Sequence, residues 1–479
     1  MIQLPVELQR GCIDFLSDDL ATLKALRLVN KGFHELASES LFRTVSFTNV
    51  GNSPERFLNI IHSSLQKHVR HAIINTSEHP DREQNEEDED EEQDDDDDDN
   101  GRYLADGPDI LCTFADAITQ LPQLESLKRT ELKFSSICTV EDYTHTRYRD
   151  TMLQIREDEN FRAKIQDLCF QALAQSESFE SLTIQNLQDA MPQDVMESKS
   201  FLAVRERLTE LRLRILRYHV EPEGGQSTYA DAQHNGLRRF LPKYWLKPTT
   251  NQLTRLTLDC DCLWGVWPFT DFREVEPFPH LKSLCFGNWT IAHDWQVDWI
   301  VAHGATLETL LLCGCGVVRY LALLDRGMKA NFPQLLPQTG DDETDDEDDE
   351  GSDDEGDDEF DSFGLSYGPE WEMEPDIRWH HLFERFRVGL QRLRYFKSGY
   401  SQDYPFDSRY NMRPDHPMNA YYSLDCRKPP GFEPIGWDVY EPELEEEAQR
   451  RQETDLQEED RRALTALMET VEQRVVEAI

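Results

Sequence analysis

Basic residues are scarce in this 479-residue chain: Lys and Arg total 49 against 94 Asp and Glu, a formal charge of −45. Phosphate contacts need Lys and Arg, so the default reading excludes unaided nucleic-acid binding. Anionic membrane surfaces are disfavoured for the same reason. Long hydrophobic runs are also missing. The longest uncharged apolar stretch, Leu310–Val318, is far too short to span a bilayer. The opening MIQLPVELQRGC lacks a basic region followed by an apolar run, so no secretory signal is expected. The ten cysteines then read as reduced thiols, and the expected compartment is cytoplasm or nucleus. No nucleophile elbow, phosphate-binding loop, H-E-x-x-H or dinucleotide fingerprint is present. The chain is expected not to be an enzyme, with no cofactor and no metal.

What is present is unevenly placed. Asp81–Asp99 holds 15 acids and one Arg, and Asp341–Asp361 holds 16 acids and no base. Together they carry −30 of the −45, so the rest of the chain has an ordinary balance. Such runs have almost no apolar side chains to offset ordering entropy, and their charges repel. Both are expected to be disordered insertions. Thr344 and Ser352, each with an acid three residues on, suit an acid-directed kinase. Hydrophobic residues make up 38% of the chain, enough for two structural units.

The first of these units is helical. Leu4, Leu8, Cys12, Ile13 and Leu16 recur at helical spacing after Pro5. Ser17-Asp18-Asp19 offers a capping oxygen to a second helix with Leu20, Leu23 and Leu26. Val29, Phe33, Leu36 and Ala37 continue into a third, and residues 41–47 turn to strand-like alternation. Apolar positions exceed one stripe per helix, which predicts an exposed, sticky face.

The ordered string Leu4-Pro5-x-Glu7-Leu8, Asp19-Leu20-x-x-Leu23-x-x-Leu26-Arg27-Leu28-Val29-Asn30-Lys31-x-Phe33, then Leu41-Phe42, resembles an F-box. The resemblance covers residues 1–47, about a tenth of the chain. It implies docking onto the Skp adaptor of SCF-type cullin–RING ubiquitin ligases, and through it onto cullin. By motif match Leu4, Pro5, Leu8, Ile13 and Leu16 would face the adaptor, with Val29 and Phe33 supporting that surface.

An L-x-x-L-x-L-like pattern then recurs at Phe179, Leu208, Leu253, Leu281 and Leu307, with a weaker opener Leu124-x-x-Leu127 and a late copy Leu390-x-x-Leu393-x-Tyr395. Several starts are 26 to 29 residues apart, the spacing of leucine-rich repeats. Each repeat would give one short strand, and neighbours would stack because none buries its apolar face alone. Cys315 stands at the ladder position of such a repeat. The segments 378–400 and 421–426 resemble the C-terminal part of filamentous-fungal F-box proteins.

The expected architecture is therefore α/β: a small three-helix F-box followed by an irregular leucine-rich-repeat solenoid with two disordered acidic insertions. The boundaries read 1–47 for the F-box, 48–80 for a transition, 81–100 for an acidic linker and 101–338 for the repeats. An acidic loop (339–362), a last repeat and C-terminal segment (363–440) and a polar helix (441–479) follow. Leu464, Leu467, Val471, Val475 and Ile479 form the narrow apolar stripe of that helix.

Cys260-x-Cys262 and Cys313-x-Cys315 read as core or ladder cysteines, because zinc hooks favour two intervening residues. His380-His381 reads as structural. Trp264, Trp267, Trp289 and Trp295 lie in an aromatic-rich stretch and are the candidate substrate contacts. No compact Arg cluster in the repeats marks a phosphate pocket. Two functions follow as expectations. One is an SCF substrate receptor holding an unknown protein. The other is an acidic scaffold that recruits basic proteins through its Asp/Glu runs, outside a ligase.

Overall fold

The computed structural model describes residues 5–16, 19–76, 110–135, 157, 159–189, 192–216, 236–324, 331–333, 370–399, 420–425 and 446–477. Both acidic runs lie outside the described residues, as do Leu4, Ser17, Asp18, Cys138, Thr344, Ser352, Cys426 and Ile479. The fold is mixed α/β, built on a large parallel sheet and not closed into a barrel.

Three helices open the chain: α1 (Val6–Asp14), α2 (Leu20–Leu26) and α3 (Lys31–Leu41). The last leads directly into strand β1 (Thr44–Thr48). Helix α4 (Ser53–Ile61) then precedes β2 (His71–Asn75), and α5 (Cys112–Thr119) precedes β3 (Arg129–Lys133). Next come α6 (Glu159–Gln175) and β4 (Ser181–Gln188), then α7 (Gln193–Met196), α8 (Lys199–Arg205) and β5 (Glu210–Leu216). Strands β6 (Arg255–Cys260), β7 (Ser283–Gly287) and β8 (Thr290–Ile291) follow, then α9 (Asp294–Val301), β9 (Thr309–Cys313) and β10 (Gly316–Leu324). The chain ends with β11 (Glu370–Met373), α10 (Trp379–Gly389), β12 (Tyr395–Gly399), β13 (Ala420–Asp425) and α11 (Glu446–Glu477).

Nine strands make one parallel sheet in the order β1-β2-β3-β4-β5-β6-β7-β9-β12, so neighbours in space follow the order of the chain. The register shows why. Leu182, Leu211, Leu256, Leu284 and Leu310 lie in one row across the sheet, and Ile184, Leu213, Leu258, Phe286 and Leu312 in the next inward-facing row. These side chains are buried, on the face that packs against α5, α6, α8, α9 and α10. Each large side chain so buried contributes on the order of 1.5–3 kcal/mol.

The backbone repeats the frame. Arg43 O accepts hydrogen bonds from the N–H groups of both Arg70 and His71. Arg70, Lys128, Glu180, Thr209, Thr254, Lys282 and Glu308 carbonyls do the same for the next strand. This pairing corrects two expected frames. Leu127 aligns with Phe179, so the opener is Leu127-x-x-Thr130-x-Leu132 rather than one starting at Leu124. Likewise Tyr395 pairs with Thr309, so the late copy is Leu393-x-x-Phe396-x-Ser398. Tyr395 is accordingly exposed, and Thr130 and Ser398 take inward positions where a leucine was sought. The sheet also starts earlier than expected: Phe42-x-x-Val45-x-Phe47 and Val69-x-x-Ala72-x-Ile74 share the same frame.

Polar groups fix the strand ends. Asn186 and Asn288 occupy equivalent positions, both with positive φ. Each donates from Nδ2 to the strand before it, at Phe134 O and Cys260 O, both 2.8 Å. Cys315 serves similarly, with Sγ 3.3 Å from Phe286 O. Arg162, fully buried, donates to Glu157 O, Asn186 O and Ser135 O and lies 5.0 Å over the Phe134 ring. A smaller sheet holds β11-β10-β13, with β8 also on β10, around Val266, Val318, Leu321 and Leu323.

The polar C-terminal helix docks rather than floats. Asp460 accepts from His380 N (2.8 Å), His380 Nδ1 (3.0 Å) and Tyr421 Oη (2.8 Å). Arg474 donates to Leu390 O and Arg387 O. Leu467 and Val471 bury the stripe, while Val475 is 38% exposed. No helix among the described residues is long and apolar enough to cross a membrane.

Candidate docking surface

The three N-terminal helices build a core of their own. Ile13, Leu23, Leu36 and Ala37 are buried together, with Leu16, Leu26, Phe33 and Leu41 half-buried around them. Local chemistry sets the helix starts. Asp19 caps α2, accepting from Thr22 N at 2.9 Å and Thr22 Oγ1 at 2.6 Å. Asn30 caps α3, accepting from Phe33 N at 2.9 Å. The two hydrogen bonds from Thr22 hold the Asp19 carboxyl below its ordinary pKa.

Tertiary contacts tie the unit together and to the sheet. Arg10 pairs with Glu39 at 3.1 Å, joining α1 to α3. The Arg27 guanidinium lies 5.2 Å over Phe42, whose ring packs on the main core. Lys67 Nζ donates to Glu35 at 2.6 Å and lowers the carboxyl's pKa, anchoring α3 near the start of β2.

The outside of this unit is unusually apolar. Val6, Leu8, Phe15, Leu20, Leu28 and Val29 are all more than half exposed, with Phe15 at 93% and Leu28 at 88%. They are half of the twelve exposed large hydrophobic residues among those described, in 24 residues of chain. An isolated exposed leucine means little, whereas six such residues in 24 make this stretch the candidate docking surface.

The residues assigned by the motif divide into three groups. Pro5, Leu8 and Val29 are exposed and available to a partner. Leu16 and Phe33 are half-buried and support the unit from within. Ile13 is 3% exposed and belongs to the core, because α1 turns it toward Leu23 and Leu36. Phe15, Leu28, Leu20 and Val6 were not singled out as partner-facing. Phe15 and Leu28 stand just past the ends of α1 and α2, where helical spacing no longer sorts inside from outside.

The aromatic stretch is core. Trp264 and Trp289 are essentially inaccessible. Trp289 stacks on Phe286 with centroids 4.3 Å apart, and Trp264 Nε1 donates to Gly287 O at 2.7 Å. They cannot contact a substrate without unfolding this region, which corrects their assignment. Trp267 is half-buried on the smaller core, and Trp295 stacks on His293 at 5.5 Å beneath Arg273. Those two retain some accessible surface.

Cys260, Asp261 and Cys262 bring three possible ligand atoms within 4.8 Å of one another. Burial, reinforced by Cys262, pushes the Cys260 thiol well above its ordinary pKa, which favours the protonated form over a thiolate ligand.

No family model matches the chain, and no curated protein matches it.

Proposed function

We propose that this protein is the substrate-recognition subunit of an SCF-type cullin–RING ubiquitin ligase. Its N-terminal helices act as an F-box on the Skp adaptor, and its chain-ordered sheet acts as an irregular leucine-rich-repeat solenoid that holds a protein substrate. The observation that carries this reading is the exposed apolar cluster from Val6 to Val29 on a unit with its own small core. A core of four buried side chains is marginal alone, and covering the exposed ones with a partner would add the missing burial. The continuity of α3 into β1 fits the role, since a docked adaptor would then fix the position of the whole sheet. Catalysis would belong to other subunits, with this chain raising the local concentration of substrate.

The test is capture of recombinant Skp adaptor by the purified full chain. Wild type is expected to bind, and Pro5→Ala/Leu8→Ala with Val29→Asp to lose binding while keeping its melting transition. No capture by well-folded wild type would overturn the reading.

A further inference from the structure

Two thiols touch where the chain leaves the main sheet for the smaller core. Cys260 is the last residue of β6 and is fully buried. Cys262, two residues on, keeps some accessible surface. Their Sγ atoms are 3.4 Å apart, and Cys260 Sγ also lies 3.4 Å from Asp261 Oδ1. The turn that carries them is pinned on both sides. Cys260 O accepts from Asn288 Nδ2 at 2.8 Å, and Asp261 N donates to Ile215 O at 3.0 Å. Trp264 N donates to Asn288 O at 3.1 Å, and Trp264 O accepts from Thr290 N at 2.7 Å. Cys262 packs on the main core, whereas Leu263 and Val266 pack on the smaller one.

The chemistry open to such a pair follows from its surroundings. A shift of about 1.4 Å would bring the sulfurs to the ~2.05 Å of a disulfide. A metal is the poorer occupant, because it needs thiolates and burial resists a charge on Cys260. A disulfide carries no charge, so burial does not oppose it. The other described cysteines lack this combination of contact and access. Cys169, Cys285, Cys313 and Cys315 are all buried. Cys12 and Cys112 are exposed but lie on different helices, α1 and α5.

We propose that Cys260 and Cys262 form a reversible redox-modification site, at which a low-molecular-weight disulfide oxidises the pair to an intrachain disulfide. Cys262, as thiolate, attacks one sulfur of the small disulfide. A bond forms between them, the small S–S bond breaks, and one small thiolate leaves. Cys260 then attacks the Cys262 sulfur and gives up its proton, and the second small thiolate leaves. The pair loses two electrons and two protons, and the small disulfide takes up both to become two thiols. Bridging residues separated by only one other closes a small, strained ring, and strained disulfides are the easily reduced ones. The site would therefore stay a dithiol in a reducing compartment and respond when the thiol balance shifts. The new bond would clamp the turn between the two cores, beside the hydrogen bonds from Asn288 and to Ile215. This site is independent of the adaptor docking proposed above.

The experiment incubates the purified, reduced full chain with oxidised glutathione. Remaining thiols are then alkylated under denaturing conditions, and proteolytic peptides are mapped by mass spectrometry. The wild-type peptide holding Cys260 and Cys262 is expected to lose both alkylation sites and the mass of two hydrogens. Dithiothreitol should restore both sites. Cys260→Ser should instead trap glutathione on Cys262, and Cys262→Ser should leave Cys260 free to be alkylated. Cys260 is buried, so each variant is checked by its melting transition, and the wild-type mass change decides the matter without them. Two alkylated cysteines in the oxidised wild-type peptide would overturn the proposal. So would glutathione held on Cys262 without ring closure, or Cys262 bonded to a cysteine other than Cys260.

Discussion

The three-helix unit and the nine-stranded sheet spend their apolar residues in opposite ways. The helices bury four side chains fully and expose six large ones. The sheet buries row after row and on its other face, over β3 to β6, shows water the side chains of Arg129, Arg212, Arg255, Thr183 and Thr257. Both halves are leucine-rich, so composition alone does not separate them. The difference is whether the fold supplies the second surface. In the sheet each strand finds its neighbour in the same chain. In the helical unit the exposed positions have no neighbour among the described residues to cover them.

The sharpest way to test this contrast is to remove side chains from each part. Trp289→Ala should cost ~3–5 kcal/mol in chemical denaturation, because it empties a stacked aromatic core. Trp295→Ala, at a half-buried position, should cost far less; equal costs would show that the aromatic stretch is not divided as described. Within the helical unit, Ile13→Ala should destabilise the local transition by about 2–5 kcal/mol. Phe15→Ala should stay within about 0.5 kcal/mol of wild type yet weaken adaptor capture. If Phe15→Ala unfolded the helices, its side chain would be core after all.

A third test concerns the far end of the sheet. Asp460→Ala removes the acceptor of three hydrogen bonds and should cost about 1–3 kcal/mol, seen as faster hydrogen exchange in α11 and α10. Exchange confined to wild-type rates would mean that Leu467, Val471 and the Arg474 hydrogen bonds hold the helix without Asp460. The smallest effect is in the pH profile. Burial raises the Asp259 pKa from 3.8 to about 7, against the pull of Arg214. The folded state therefore holds this proton more tightly than the unfolded state. The associated stability is present below about pH 4 and is lost as pH rises to about 7. Asp259→Asn should flatten that part of a melting-temperature profile, and an unchanged slope would assign the pH dependence to other groups.

Much of the backbone was legible from periodicity. The helices near Leu8, Leu23 and Leu36 stand where apolar spacing placed them, and the five L-x-x-L-x-L-like segments from Phe179 to Leu307 pair in one register. The frames at Leu124 and Leu390 slipped by three because Thr130 and Ser398 occupy inward positions. A pattern search for leucine cannot see a buried threonine or serine. Ile13, assigned to the partner-facing side by motif match, lies in the helical core, because a motif match does not say which side its helix turns toward Leu23 and Leu36. The aromatic stretch misled for a related reason, since tryptophan serves cores and interfaces alike. That Arg129, Arg212 and Arg255 all approach Glu210 was invisible, because they come from three separate strands and meet only through strand pairing.

The chain-ordered sheet has a consequence for length. β9 and β12 are direct neighbours although their aligned residues Thr309 and Tyr395 are 86 positions apart, whereas Ser283 and Thr309 are separated by 26. Closing a longer loop costs only about 0.6 kcal/mol more for each doubling. Material can therefore be inserted or removed between two strands without altering how those strands pair. Loop size and surface pattern are thus independent variables in this fold: one connection can grow by tens of residues while the spacing of side chains across the open face stays fixed by the width of a strand.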